Sequence, residues 1–329
     1  MAIGDLIDKL TNKFTETVFY KTDSELEKQI EAINNLLEQY PNNDELMKKL
    51  KLCQLGLQGE KEIEFELENT NIGMYVLHDV NIEYEDLKAQ IDYIVITPAK
   101  VYFIECKNLV GNITINNKGD FIREIQYGNK KIREGIYSPV TQAKRHVEVF
   151  KKIWKQRNTS LLDKTIRAKN LDNWYVPLVV FANSKNIIND KYAPKEIKSM
   201  VIKSDRLADY IKNDIEKTDK DLLSSQKQMH DYAFAIMENY NKDIERNYEE
   251  ELKPKQENAN VKDRLIEFRT KKSKEKNIPA YYIFNNEELE KLLELKPKTI
   301  EELAKAKILS DVKLKLHGKE IIEILNELN

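Results

Sequence analysis

The sequence predicts a mixed α/β protein that ends in a small all-helical segment, on three observations. Between Ile63 and about residue 215, runs rich in Ile, Val, Tyr and Phe are followed by amphipathic helical stretches, as when strands of a sheet are covered by helices. Before residue 58 and after residue 261, apolar residues recur at three-to-four spacing instead. The 329 residues, 41% of them hydrophobic, suffice for roughly two domains and at least one substantial core.

Composition removes several classes of function. Mean hydropathy is -0.63 and no stretch approaches the ~20 consecutive apolar residues of a spanning helix, so no integral membrane association is expected. The first residues lack a basic segment followed by an apolar block, the mark of a secretory signal. Two cysteines, Cys53 and Cys106, are too few for a disulfide framework or a four-cysteine zinc site, and they suit a reducing cytosol. The expected location is therefore cytoplasmic. A net charge of -2 argues against a histone-like polycation but leaves local patches open. High Lys, Ile and Asn usage is that of an AT-rich bacterial genome.

Along the chain, residues 1–57 read as an N-terminal helical region. Ile3, Leu6, Ile7, Leu10, Phe14 and Val18 form one helical stripe whose opposite face is of mixed charge. That favours packing on the protein or on a second subunit over lipid. Thr22-Asp23-Ser24 can cap a helix through Leu37 that ends before Pro41, and a partner helix from Asn43 to about Leu57 makes a hairpin. Residues 58–250 read as the α/β core. Its strands are Tyr75 to Tyr84, Gln90 to Thr97, Lys100 to Lys107, Ile113 to Ile115, Phe121 to Tyr127, Tyr175 to Asn183 and Met200 to Ile202. Asn116 to Gly119 is a hairpin turn, a helix follows Ser138-Pro139, another surrounds Leu207 and Ile211, and a long polar helix fills 221–250. Residues 251–261 are poor in apolar residues and contain Pro254, which marks a linker. Residues 262–329 form a helical module whose one strand-like run is Tyr281 to Phe284.

The chemistry concentrates in two adjacent strands. Asp92 lies in QIDYIVIT, while Glu105 and Lys107 lie in FIECKN. Their two-residue separation puts Glu105 and Lys107 on one face, and neighbouring strands can then present all three groups together. Carboxylates are the oxygen ligands that Mg²⁺ or Mn²⁺ prefers, and a lysine beside them can hold a water or neutralise charge developing on a phosphate. The bland alternative is a cross-strand ion pair on a solvated face. Against it, these strands are otherwise apolar, and an uncompensated carboxylate there is costly.

Gly59-Glu60, Leu67, HDVNIEYEDLKAQIDYIVIT, VYFIECKNLVGNI and Ser138-Pro139 with Gln142 resemble, in order and spacing, the nuclease-related domain, NERD, of the PD-(D/E)XK nuclease superfamily. The similarity spans about 58 to 155, with the superfamily core continuing to about 215. It implies a mixed sheet flanked by helices, Asp92 and Glu105 as metal ligands with the Cys106 carbonyl as an additional one, and Lys107 at the nucleophilic water. Glu60 matches the acidic residue of the preceding helix and would complete the metal shell directly or through water. Several glutamates on a solvated helix remain the ordinary reading of GEKEIEFELE. Gln142 matches a polar residue that orients substrate or lysine, or else decorates the helix surface. Lys144, Arg145 and His146 either meet phosphates or form a solvated basic turn. His78, His230 and His317 lack ligand spacing, which argues against zinc, and Cys106 has no evident base partner.

IPAYYIF (278–284), Leu289, KPKTIEEL (296–303) and HGKEIIEIL (317–325) are similar to the HRDC domain, the helicase and RNase D C-terminal module. The resemblance implies a five-helix bundle that binds nucleic acid or a protein partner. Where many members carry a glycine-containing turn, this chain has Lys307-Ile308-Leu309-Ser310-Asp311, which weakens a backbone approach to phosphate. The expected activity is Mg²⁺- or Mn²⁺-dependent hydrolysis of DNA in processing, repair or defence. The residues do not separate DNA from RNA. The alternatives are a non-cleaving nucleic-acid or protein-binding module, or a subunit that forms a homo-oligomer or serves a helicase in trans, since no GxxxxGK[ST] loop is present.

Overall fold

A computed structural model describes residues 14–84, 87–157, 174–238, 246–254 and 256–326. The chain divides into two compact units, Met1–Asn35 with Glu45–Tyr248, and Leu36–Asp44 with Glu249–Asn329.

In chain order the first unit contains β1 (Thr17–Lys21), α1 (Glu25–Gln39), whose last residues fall in the second unit, α2 (Asp44–Glu68), β2 (Met74–Tyr84), β3 (Leu87–Ile96), β4 (Val101–Lys107) and β5 (Asn112–Ile115). There follow β6 (Phe121–Tyr127), β7 (Lys130–Ile136), α3 (Pro139–Arg157), β8 (Tyr175–Phe181), β9 (Ile188–Asn189), α4 (Lys195–Ser199), β10 (Val201–Lys203), α5 (Leu207–Lys217) and α6 (Gln226–Glu238). One mixed sheet has the order β1-β2-β3-β4-β8-β10, and a smaller one the order β7-β6-β5-β9. β4 pairs in parallel with β8, and β8 with β10, through connections that include α3 and α4 respectively, while β2, β3 and β4 are antiparallel.

Side-chain alternation sorts the large sheet into two faces. Val101 and Phe103 join Tyr75, Leu77, Ile94 and Ile96 beneath Val147, Phe150 and Trp154 of α3 and Met229 and Tyr232 of α6. Tyr102 and Ile104 join Val76, Tyr93, Val95 and Val180 beneath Ile63 and Leu67 of α2 and Leu207 and Ile211 of α5. The result is a sheet covered by helices on both sides, which explains why β4 reads VYFI without a polar residue.

The helix expected over residues 1–20 is not what forms where the chain is described. Residues 1–13 lie outside the described residues, and Thr17–Lys21 is a strand parallel to β2. Val18 and Tyr20 pack on the α3 face and Phe19 on the α2 face, a two-residue period that a helix cannot satisfy. The two expected N-terminal helices are present, the second running on to Glu68. Of the long polar helix expected over 221–250, residues 239–245 lie outside the described residues, and the part before them is a 3₁₀ turn at Lys220–Leu222 and α6, begun by a reciprocal cap. Ser225 Oγ accepts the Gln228 N–H at 3.3 Å, and Gln228 Oε1 accepts the Ser225 N–H at 2.9 Å. The polar edge strand β7, with six of its seven residues exposed, gave no apolar run to find.

α7 (Tyr248–Leu252) lies at the boundary. The second unit continues with α8 (Gln256–Lys276), α9 (Asn286–Leu295), α10 (Ile300–Lys305) and α11 (Asp311–Asn326). Residues 256–261, expected within the linker, are the first turns of α8. Its core comprises Leu265, Ile283, Phe284, Leu289, Leu292, Leu303, Ile308, Leu309 and Ile321. Among the described residues the five expected helices are four, and the strand-like Tyr281 to Phe284 overlaps the 3₁₀ turn Ala280–Tyr282. Lys307 takes φ 47°, so a lysine occupies a left-handed position that favours glycine. Asn285 caps α9 in a reciprocal capping box. Among the described residues no helix is long and apolar enough to cross a membrane.

Candidate active site

The sheet creates an unusual position at Asp92. On β3, Ile94 and Ile96 face α3, yet so do Ala89 and Ile91. On β2, Tyr75 and Leu77 share that face with Val80 and Ile82. Both strands therefore change phase at one level, between His78·Tyr93 and Val80·Ile91. Asp79 marks the break with φ 52°. Its carboxylate accepts the Glu25 N–H at 2.5 Å and the Gln90 Nε2 at 2.8 Å.

The β3–β4 ladder ends at Tyr93·Ile104, just short of this break. Beyond it Asp92 Oδ2 accepts the Cys106 N–H at 2.7 Å, so a side chain takes over where main-chain pairing stops. In an extended strand the N–H and C=O of one residue lie on the same edge, which puts the Cys106 carbonyl on the Asp92 side as well. Glu105 and Lys107 follow Val101 and Phe103 onto the α3 face, as their spacing predicts. Lys107 Nζ donates to Glu105 Oε1 at 2.5 Å and to Gln142 Oε1 at 3.3 Å.

α3 is positioned to meet them. Pro139 opens it, Ser138 Oγ accepts the Thr141 N–H at 3.2 Å, and Val140, Ala143, Val147, Phe150 and Trp154 form its buried stripe. Gln142 and His146, four residues apart, lie on one side of it and reach the ends of β4. His146 Nδ1 is 3.5 Å from Glu105 Oε2.

The charges in this cluster are under strain. Burial, then the negative charge of Glu105, pushes the Asp92 carboxyl well above the usual carboxylate range, against the Cys106 N–H and Lys107. Burial also raises Glu105, which Lys107 only partly offsets. Glu105 is 2% exposed, and its Oε2 has no hydrogen-bond partner. Burial, reinforced by Lys107 and Arg145, pushes His146 down to about 4, so it meets Glu105 as a neutral ring. Burial and the charge of Asp92 raise the Cys106 thiol, which stays protonated and is no nucleophile.

Glu60 is not joined to this cluster by a direct contact. It sits on α2, where its Oε2 accepts from Ser24 Oγ at 3.3 Å and lies 2.9 Å from His78 Nε2. Burial opposes the charged form of His78, but the hydrogen bond and charge of Glu60 outweigh it and hold the imidazole above its ordinary value. Tyr93 stacks on His78 at 4.6 Å and donates to the Glu60 carbonyl at 2.9 Å. Lys144 pairs with Glu196 and Arg145 is exposed, so the three consecutive residues 144–146 point to three environments. Sequence reasoning missed His78 as the partner of Glu60 and His146 as the neighbour of Glu105. The i,i+4 relation of His146 to Gln142 was the available signal.

Among the described residues no three His, Cys, Asp or Glu side chains form a ready-made metal cluster. The donors nevertheless fit a hard cation. They are oxygens, one carboxylate oxygen is buried without a partner, and the two carboxyls raise the affinity for positive charge.

Residues 55–182 match the family model of the nuclease-related domain, NERD, and residues 258–325 that of the HRDC domain. The chain joins a NERD domain to an HRDC domain. The NERD match starts on α2 just before Gly59 and closes after β8, so it contains Asp92, Glu105, Lys107 and Gln142. No curated protein and no solved structure gave a significant match.

Proposed function

We propose that this NERD–HRDC protein hydrolyses phosphodiester bonds of DNA in a reaction that depends on Mg²⁺ or Mn²⁺, and that it acts in DNA processing, repair or defence. The observation that carries the proposal is the bond from the Cys106 N–H to Asp92, which brings the middle of β3 to the Glu105–Lys107 end of β4, with Lys107 held between Glu105 and Gln142.

Asp92, Glu105 and the Cys106 carbonyl would hold the cation, and Glu60, whose charge acts on Asp92 and Cys106, would complete the shell directly or through water. When bound, a divalent cation supplies Lewis acidity and a water of lowered pKa. The chain's own groups do the positioning. An ammonium has three N–H donors, and Lys107 gives two of them to Glu105 and Gln142. The third is directed by those two bonds and serves a water or a phosphate oxygen. Gln142 fixes the lysine from α3, and Glu105 anchors it from the same strand. The buried setting strengthens each of these interactions. The HRDC domain would bring nucleic acid or a protein partner.

The deciding experiment is cleavage of labelled DNA by purified protein with Mg²⁺ or Mn²⁺ and with EDTA. Cleavage should require the cation and disappear in Asp92→Ala and Lys107→Ala while circular dichroism stays unchanged. Cleavage surviving in both variants would remove this site from consideration. No cleavage of duplex, single-stranded or RNA substrates would favour a binding module on a nuclease fold.

A further inference from the structure

Charge is unevenly placed along the first unit. Residues 14–107 carry 19 Asp and Glu against nine Lys and Arg, whereas residues 108–203 carry 19 Lys and Arg against eight Asp and Glu. The near-neutral total conceals this division. The basic part of the chain supplies the small sheet, α3, and the loops that follow β8.

Some of those cations serve internal pairs. Arg123 pairs with Glu134, Lys131 and Arg133 with Glu124, Lys144 with Glu196, and Lys198 with Asp190. Lys118, Arg145, Lys185 and Lys195 are exposed and form no ion pair among the described residues. They stand on four different segments that packing brings around the Glu105–Lys107 end of the sheet. A Cβ on Gly119 would lie 2.3 Å from Ile197 Cδ1, so the turn carrying Lys118 rests on α4, which carries Lys195. Lys144 ties α3 to the same helix through Glu196, and Arg145 is the next residue on α3.

Lys185 is fixed from another direction. Asn183 and Asn186 each donate to the Leu109 carbonyl at 3.0 Å, which clamps the 183–187 loop to the segment immediately after Lys107. Lys203 adds a bond from Nζ to the Ser184 carbonyl at 2.8 Å. Four exposed cations on separate elements, flanking one buried carboxylate–lysine cluster, match a partner with many regularly spaced negative charges.

We infer that the small sheet with its flanking α3, α4 and 183–187 loop is the surface on which this protein holds a phosphodiester backbone, with Lys118, Arg145, Lys185 and Lys195 as phosphate contacts. The inference rests on the nuclease reading for its purpose, but the binding it describes does not require cleavage. It also assigns backbone binding to the NERD-bearing unit itself, independently of the HRDC domain.

The test uses the full chain in EDTA, where binding is read without cleavage, by anisotropy of a labelled 20-base-pair DNA across a salt series. Each phosphate contact contributes about 0.9 to the slope of log K against log salt for duplex DNA and about 0.7 for a single strand. A triple variant, Lys118→Ala, Lys185→Ala and Lys195→Ala, should flatten the duplex slope by about 2 to 3. A matched pair in the acidic part of the first unit, the exposed Lys48→Ala with Lys51→Ala on α2, should leave it unchanged. A single-stranded 20-mer and an RNA duplex run in parallel identify which polyanion shows the larger change. An unchanged slope in the triple variant, or no binding by the parent protein at 50 mM salt, would overturn the inference. A protein that binds as described yet never cuts DNA with Mg²⁺ or Mn²⁺ would uphold this surface and remove the nuclease reading alone.

Discussion

Asp92 Oδ2 accepts the Cys106 N–H at 2.7 Å at the level where β3 and β4 cease to pair. The carboxylate therefore does two things: it satisfies a strand-end donor, and it places negative charge beside Glu105. These roles are separable by substitution. Asp92→Asn keeps an acceptor for the N–H but removes a charge that burial and Glu105 disfavour. In EDTA at neutral pH it should melt higher than the parent, by about 2–4 °C for each kcal/mol gained. Mg²⁺ or Mn²⁺ should raise the melting temperature of the parent and not that of the variant. Scanning fluorimetry with and without the cation reads both; a lower melting temperature for Asp92→Asn in EDTA would contradict the electrostatic argument.

Gln142 acts through Lys107, to which it lies 3.3 Å away. A positioning role predicts a partial defect. Gln142→Ala should lower the cleavage rate by about 10- to 100-fold, the usual effect of losing an outer partner of a reactive group. KM should change little, and Gln142→Glu should restore part of the rate by accepting from Lys107. Lys107→Met should abolish cleavage outright. Single-turnover rates separate the three; a Gln142→Ala protein with parental rate would show that Glu105 alone orients the lysine.

Much of this is legible in the sequence alone. The apolar runs located β2, β3, β4 and β8 because strands buried on both faces have little room for polar residues. The two-residue spacing of Glu105 and Lys107 placed them together because alternation in a strand is fixed by backbone geometry. What was hidden depended on non-local pairing. Thr17–Lys21 carries residues compatible with either period, and only its partner β2 selects the strand. The joint change of face at Asp79 and Asp92 involves two strands at once, and no one-dimensional pattern reports it. His78 looked isolated because its partner, Glu60, lies 18 residues away on a helix.

Gly59 tests the seating of α2 on the sheet end. A Cβ there would lie 2.5 Å from Asn108 Cβ and 3.2 Å from Cys106 Sγ. Both neighbours belong to the strand end that carries the site, and Asn108 Nδ2 also donates to the Leu55 carbonyl of the same helix at 2.7 Å. Gly59→Ala gains helix propensity at an interior position, yet must push the helix away from β4. The expected net loss is about 1–3 kcal/mol in chemical denaturation, the range for overpacking. Cleavage should fall as well, because the displaced strand end includes Cys106. A variant as stable as its parent would mean that the helix end accommodates a methyl group without moving.

His146 gives the stability of the first unit a predictable response to acid. Its ordinary value is about 6.5, and burial, with Lys107 and Arg145, lowers it to about 4 in the fold. Between those limits the unfolded chain binds a proton that the native state refuses, so stability from this residue is present above pH 6.5 and lost as pH falls toward 4. The full term is on the order of 3 kcal/mol, at 1.36 kcal/mol per pH unit of difference. Glu105 works in the opposite sense: its raised carboxyl takes up a proton first in the native state, which favours the fold on acidification. His146→Gln removes the first contribution and leaves the second. Urea denaturation at pH 7.5, 5.5 and 4.5 should therefore show the parent losing stability more steeply than the variant. Parallel losses in the two proteins would mean that His146 accepts its proton in the folded state at an ordinary pH, through the 3.5 Å approach to Glu105.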